Sequence, residues 1–283
     1  MMSQAFHADM PHYQYLKVAI EAAALGCAIA REGQLHDFNM STKSVGDYVS
    51  EIDVKIDHTI TRFLTDAFPD IPVISEELCP DFDEFPDECW IVDPLDGTNS
   101  YLARARLELV STMIALRLGG ETVVSVVRFP FTDETYCAAL GGGAFCNEKS
   151  IQVPGAGSKL QSAWVAMNHY GDKTLETEFF VRSRESLRTK DGAFMVTIDP
   201  PGSGLALRIT DSRDTLGAVV HDNNPKKRKQ EIWDVIPIQL IIEEAGGVYL
   251  NAQGDQYDPL STEPIVIAAS MSMATEIIRL SQP

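Results

Sequence analysis

Four acids of this chain, Glu76, Asp93, Asp96 and Asp234, stand at the ends of apolar stretches, where carboxylates can gather and bind cations. The densest chemistry lies in Trp90-Ile-Val-Asp93-Pro94-Leu95-Asp96-Gly97-Thr98. Its start, Cys89 to Val92, has the length and β-branched content of a buried strand. Pro94 cannot donate to a ladder and biases Asp93 away from the α region, so the chain is expected to leave the sheet there and turn through Leu95-Asp96-Gly97. Asp93 and Asp96 then share one turn, and they repel unless they are solvated or bridged by cations. The plainer alternative is a polar turn in which Asp96 caps a short helix.

The other acids come from elements that could approach this turn. Val73 to Ser75 reads as a strand running into Glu76-Glu77, and neighbouring strands would bring its tip beside Asp93. Asp234 opens the apolar helix Val235 to Ile242, which stops at Gly246-Gly247, and Pro237 is tolerable there only in the first turn. An acid favoured by the helix dipole is the ordinary account of Asp234, and a metal ligand is the sharper one. All-oxygen ligands select hard cations such as magnesium or manganese, and two such ions can clamp a phosphate ester and activate a water. The backbone N–H groups of Gly97 and Thr98 would suit phosphate. The chemistry suggested is metal-assisted hydrolysis of a phosphate monoester.

The scaffold reads as layered α/β. Tyr13 to Ala30 and Asp53 to Phe68 have helical periodicity, with Asp53 at the N-cap position of the second. Leu109 to Leu118, Val123 to Phe129 and Thr135 to Leu140 read as antiparallel strands, and Gly141 to Asn147 as a turn. After a glycine-rich stretch, Pro154 to Ser158, strands and helices alternate: Ala163 to Met167, Leu175 to Leu187, Phe194 to Ile198, a helix over Ser203 to Thr210, Leu216 to Val220, the Asp234 helix, Val248 to Leu250 and Ile265 to Ala268. This predicts an N-terminal α+β half over 1–155 carrying the site and a C-terminal α/β half over 156–283 completing it, together one compact unit.

Composition narrows the function classes. Lys and Arg total 23 against 41 Asp and Glu, a formal charge of −18, which opposes binding to nucleic acid or an anionic membrane. The five cysteines follow no zinc-like spacing and read as reduced thiols. Residues 1–15 do not resemble a signal peptide, and Ala19 to Ala30 is too short to span a bilayer. A cytoplasmic protein is expected.

Taken in order, Glu76-Glu77, the Trp90 to Thr98 string with Tyr101, and Trp233-Asp234 with Glu244-Ala245-Gly246-Gly247 resemble the inositol monophosphatase family, within the wider group of fructose bisphosphatases and bisphosphate nucleotidases. Lys43, Asp47 to Asp53 and Gly142 to Asn147 add weaker matches. The resemblance implies a fold of alternating helix and sheet layers and a homodimer. It implies that Glu76, Asp93 and the Leu95 carbonyl bind one magnesium, that Asp93, Asp96 and Asp234 bind a second, and that Glu76 helps hold a third. Thr98 with Asp53 would orient and activate the attacking water, while Gly97, Thr98, Lys43 and Gly204 would meet phosphate or substrate. The substrate would be a small phosphorylated polyol or sugar. Where an inositol-reading acid is expected, seven residues before Asp234, this chain has Lys227 within Lys226-Lys227-Arg228-Lys229. That run reads as a solvated loop or as a second-phosphate site, so a 3′(2′),5′-bisphosphate nucleotidase or a fructose-1,6-bisphosphatase type of activity is the alternative. A catalytically silent metal-binding regulator is the rival from another class.

Overall fold

The structure is a computed structural model that describes residues 9–44, 47–78, 85–153, 159–169, 176–198, 203–210, 216–222 and 232–282. The chain begins with α1 (Tyr13–Gly33), β1 (Met40–Ser44), β2 (Asp47–Ser50), α2 (Glu51–Ala67), β3 (Val73–Ser75), β4 (Cys89–Asp96) and α3 (Thr98–Ala103). The strands β5 (Ser111–Leu118), β6 (Glu121–Phe129), β7 (Glu134–Ala139), β8 (Gly143–Cys146) and β9 (Lys149–Ile151) follow. Then come β10 (Trp164–His169), α4 (Glu178–Ser186), β11 (Met195–Ile198), β12 (Leu216–Asp222), α5 (Ile232–Glu244), β13 (Val248–Asn251), β14 (Ile265–Ala268) and α6 (Met271–Ser281). They divide between two compact units. One holds Met1–Ser150, Pro201–Gly204 and Trp233–Glu244, and the other holds Ile151–Pro200, Leu205–Ile232 and Ala245–Pro283.

In the first unit a sheet runs in the order β3-β4-β5-β6-β7-β8-β9. Alternation along its strands turns Trp90, Val92, Ile114, Leu116, Val124 and Val126 into one core with α1 and α2. The alanines Ala19, Ala22, Ala23 and Ala30 are buried on α1, and Ile56, Ile60 and Leu64 on α2. The polar stretch before α2 is an antiparallel hairpin of β1 and β2, which the sequence reading leaves unassigned. Gly141 to Asn147 is only partly the turn expected of it, because Gly143–Cys146 pairs with β7 as a strand and buries Phe145. The turn itself is held by Glu244 at the end of α5, whose carboxylate accepts the Gly141 and Gly143 N–H groups, each at 2.7 Å. A carboxylate at a helix C-terminus opposes the macrodipole, and two amide donors offset that.

In the second unit β10 pairs in parallel with both β11 and β12, and β12 and β13 pair antiparallel with β14. Val165, Met167, Val220 and Val266 meet Phe180 and Leu187 of the α4 segment and Ile277 of α6. α6 escapes the sequence reading although Ser270, whose hydroxyl accepts the Met273 N–H at 3.3 Å, precedes a helical spacing of Met273, Ala274, Ile277 and Ile278. Ser203–Thr210, expected as a helix, is a 3-10 helix. No helix of the described residues is long and apolar enough to cross a membrane.

His221 lies near the end of β12, 6% exposed, and burial followed by the neighbouring His169 lowers its pKa from 6.5 to about 3. The unfolded chain therefore takes up a proton at pH values where the folded unit does not. Stability is fully present above pH 6.5 and is lost as pH falls toward 3, by about 2 kcal/mol at pH 5. Urea midpoints measured from pH 7 to pH 5 are expected to fall more steeply in the wild type than in His221→Asn. Parallel slopes would refute the assignment.

Candidate functional site

β3 and β4 lie parallel in register, Ser75 beside Val92, and the Glu76 N–H donates to the Val92 carbonyl at 3.1 Å. Glu76, just past the end of β3, therefore lies next to Asp93, as the sequence predicts. β4 does not leave the sheet at Asp93-Pro94, however. Its ladder with β5 passes from Asp93 opposite Met113 to Asp96 opposite Ser111, so three steps on β4 match two on β5. One extra residue makes a bulge, and a bulge is where a strand tolerates proline. The Pro94 carbonyl accepts from Thr112 Oγ1 at 2.9 Å, and Asp93 Oδ1 accepts the Leu95 N–H at 2.9 Å. Asp93 and Asp96 are both buried, 1% and 6% exposed.

Gly97 follows with φ +81°, in the left-handed region that favours glycine, and the chain enters α3. Asp96 does not cap that helix. Its carboxylate accepts instead from Ser111 Oγ at 3.2 Å, the Ser203 N–H at 3.0 Å and the Gly204 N–H at 3.3 Å. Gly204 packs so closely that a Cβ there would sit 2.8 Å from the Phe129 ring and 3.0 Å from Ser111 Oγ. Ser111 and Ser203 belong to this arrangement, and neither is a predicted partner of Asp96 in the sequence reading. Isolated serines carry no signal until the fold brings them to an acid.

Asp53 is not the N-cap of α2. Ser50 is, its Oγ accepting the Ile52 and Asp53 N–H groups at 3.2 and 3.4 Å, and Asp53 closes a capping box by accepting the Ser50 N–H at 3.0 Å. The Ser50 hydroxyl also donates to Asp53 Oδ2. That leaves Oδ1, which lies 3.0 Å from Thr98 Oγ1. The Leu95 carbonyl oxygen is also 3.0 Å from Thr98 Oγ1, so one hydroxyl proton faces two acceptors. Asp53 is 1% exposed, and burial pushes its carboxyl up against the opposing hydrogen bonds from Ser50 and Thr98.

Asp234 sits in the first turn of α5, and Pro237 falls beyond that turn, contrary to expectation. The proline has no N–H to give the carbonyl four residues back, a cost that the fully apolar packing of Val235, Ile236, Ile238 and Ile241 outweighs. Carboxylate oxygens of Asp93, Asp96 and Asp234 all lie within 4.8 Å of one another, the spacing at which three acids could hold a metal ion. Burial raises the Asp93 carboxyl well above its usual range, and the charges of Glu76, Asp234 and Asp96 raise it further. Burial raises Asp96 too, while its amide and hydroxyl donors oppose the shift. A pocket of mutually repelling buried acids has the donor chemistry of a hard divalent cation. Glu76 stands outside the tight trio but is the strongest neighbouring charge on Asp93.

Of the remaining predicted residues, Lys43 falls within β1, while Lys227 and the whole run Lys226 to Lys229 lie outside the described residues, as does Pro154 to Ser158.

The model of the inositol monophosphatase family matches residues 12–282. The chain belongs to that family. Membership places it among phosphatases, with the layered α+β fold that the elements above form. An inositol-1-monophosphatase of Mesorhizobium japonicum is 38% identical over 245 residues, covering 85% of this chain and 86% of that one. The extragenic suppressor protein suhB of Bartonella henselae has the same fold, with TM-score 0.82 at 23% identity over 95% of this chain and 98% of its own. So does an IMPase/NADP phosphatase solved with Mg2+ and phosphate, with TM-score 0.77 at 21% identity over 94% of each chain. Within the inositol monophosphatase family, then, at least one structure holds magnesium, and this member carries a trio of acids able to bind a metal.

Proposed function

We propose that this protein hydrolyses small phosphate monoesters, a polyol or sugar phosphate such as inositol monophosphate, with magnesium at the acidic cluster. The observation that carries the reading is the convergence of Asp93, Asp96 and Asp234 beside the Thr98–Asp53 pair. In this reading Glu76, Asp93, the Leu95 carbonyl, Asp96 and Asp234 hold two or three magnesium ions, and manganese, another hard cation, can replace them. Ions bound there supply positive charge to the phosphate oxygens and lower the pKa of an attacking water. The chain's own residues do the rest. Thr98 Oγ1 receives the water proton as its own hydroxyl proton passes to Asp53 Oδ1, and the capping box holds Asp53 still for that exchange. The N–H groups of Gly97 and Thr98 meet the phosphate, and Ser111, Ser203 and Gly204 fix the Asp96 carboxylate. Lys43 and Lys227 complete the substrate side, in a cytoplasmic homodimer of the kind that the family resemblance implies.

The relatives' names support the substrate class, including one from Aquifex aeolicus that joins fructose-1,6-bisphosphatase to inositol-1-monophosphatase. The test is phosphate release from inositol, histidinol, sugar bisphosphate and nucleotide 3′,5′-bisphosphate substrates, each with magnesium and with excess chelator. Turnover of a monophosphate that magnesium restores after chelation is the expected result. Full rate in chelator would sink the metal mechanism, and preference for a bisphosphate would favour the alternative substrate class.

A further inference from the structure

α2 carries a second buried carboxylate one turn beyond Asp53. Asp57 is 0% exposed; its Oδ1 accepts from Thr61 Oγ1 at 2.9 Å, and its Oδ2 accepts the N–H groups of Glu77 at 3.0 Å and Leu78 at 3.2 Å. Those are the two residues after Glu76. β3 ends at Ser75, and the Glu76 N–H is held by the Val92 carbonyl at 3.1 Å. The turn that bears Glu76 is thus fastened at its start by β4 and at its end by α2. A single carboxylate oxygen can accept both amide donors, which an apolar residue at 57 would leave part-buried without that acceptor.

The fastening works against a force. Glu76 is the strongest neighbouring charge on buried Asp93, so without a cation the two repel, and a loose turn would relax by swinging Glu76 away from β4. Asp53 and Asp57, four residues apart, lie on one face of α2, and the Ser50 capping box fixes where that helix begins. One rigid helix therefore sets both the acceptor for the Thr98 hydroxyl and the anchor for the Glu76 turn.

We propose that Asp57 is a positioning residue: by binding the Glu77 and Leu78 amides it holds Glu76 beside Asp93, so that the cation site is formed before the metal arrives. This rests on the reading of Glu76 as a metal ligand. Supporting residues of this kind change metal affinity by about 10- to 100-fold when removed.

The test compares Asp57→Ala, Asp57→Asn, Glu76→Gln and the Ala/Gln double variant by amide hydrogen exchange in the metal-free protein and by calorimetric titration with magnesium. Asp57→Ala is expected to speed exchange at Glu77 and Leu78 and weaken magnesium binding by about 10-fold or more, with kcat at saturating magnesium little changed. Asp57→Asn keeps an acceptor oxygen for both amides and an NH2 group for Thr61 Oγ1, so it should fold normally, and its magnesium affinity should fall in step with whatever rise in exchange it shows at Glu77 and Leu78. In the Glu76→Gln background, Asp57→Ala should add no further loss of affinity. Faster exchange with unchanged magnesium affinity, in the alanine variant or, if that does not fold, in the asparagine variant, would overturn the proposal. So would an additive loss in the double variant. Wild-type magnesium affinity in Glu76→Gln would instead overturn the ligand reading beneath it.

Discussion

Asp93→Asn lowers turnover by about 10³-fold or more while the metal-free protein becomes more stable than the wild type. The two halves of this expectation have one cause. Asp93 is buried among Glu76, Asp96 and Asp234, and both burial and those charges disfavour its ionised form. A neutral isostere relieves that repulsion. The local backbone is spared, because the asparagine oxygen still accepts the Leu95 N–H that Asp93 Oδ1 takes at 2.9 Å. The same substitution removes the acid that the proposed mechanism shares between ions. Thermal melts in chelator and in magnesium, with kcat alongside, check it. The variant should melt higher than wild type in chelator and lose most of the magnesium-induced rise. Undiminished turnover would refute the role of Asp93, and a lower melting point in chelator would refute the electrostatic account.

The second large effect belongs to the Thr98–Asp53 pair. Thr98→Ala is expected to cost about 10²- to 10⁴-fold in kcat, the usual range for a positioned proton acceptor. Magnesium should still raise its melting point, since Thr98 adds no carboxylate to the cluster. Asp53 needs a control, because its carboxylate both closes the α2 capping box and receives Thr98 Oγ1 at 3.0 Å. Ser50→Ala removes the cap and one of the donors to Asp53, and should cost about 1 kcal/mol of stability with a kcat loss well below that of Thr98→Ala. Asp53→Asn should lose turnover, since its single oxygen can accept either the Ser50 N–H or the Thr98 hydroxyl but not both, and its NH2 group can take no proton. A Thr98→Ala enzyme with wild-type kcat would refute the proton path.

How much of this was legible beforehand follows the range of the forces involved. Trp90 to Thr98 announces itself because an apolar β-branched run, a proline and two acids are local signals, and that β3 and β4 are neighbours follows from two strands close in sequence, whereas their parallel direction comes from the structure. The α2 pattern is equally local, yet its first residue is misjudged. Ser50 and Asp53 both suit a cap, and only the hydrogen bonds assign the cap to Ser50. The bulge at Pro94 is invisible in the same way. A proline has no N–H for the ladder, so the strand continues past it only through the bulge, where the Pro94 carbonyl finds its donor in Thr112 Oγ1, eighteen residues away.

The sequence by itself therefore determined the kind of chemistry, hard-cation binding by acids at element ends, and most of the elements that carry those acids, because composition, periodicity and turn residues act over a few positions. The tertiary structure decided which acids meet. Asp93, Asp96 and Asp234 converge within 4.8 Å, Ser111, Ser203 and Gly204 turn their donors on Asp96, and Asp57 reaches back to the amides after Glu76. Those contacts join residues far apart in the chain. Repelling charges have no reason to assemble until the burial of an apolar core forces them together.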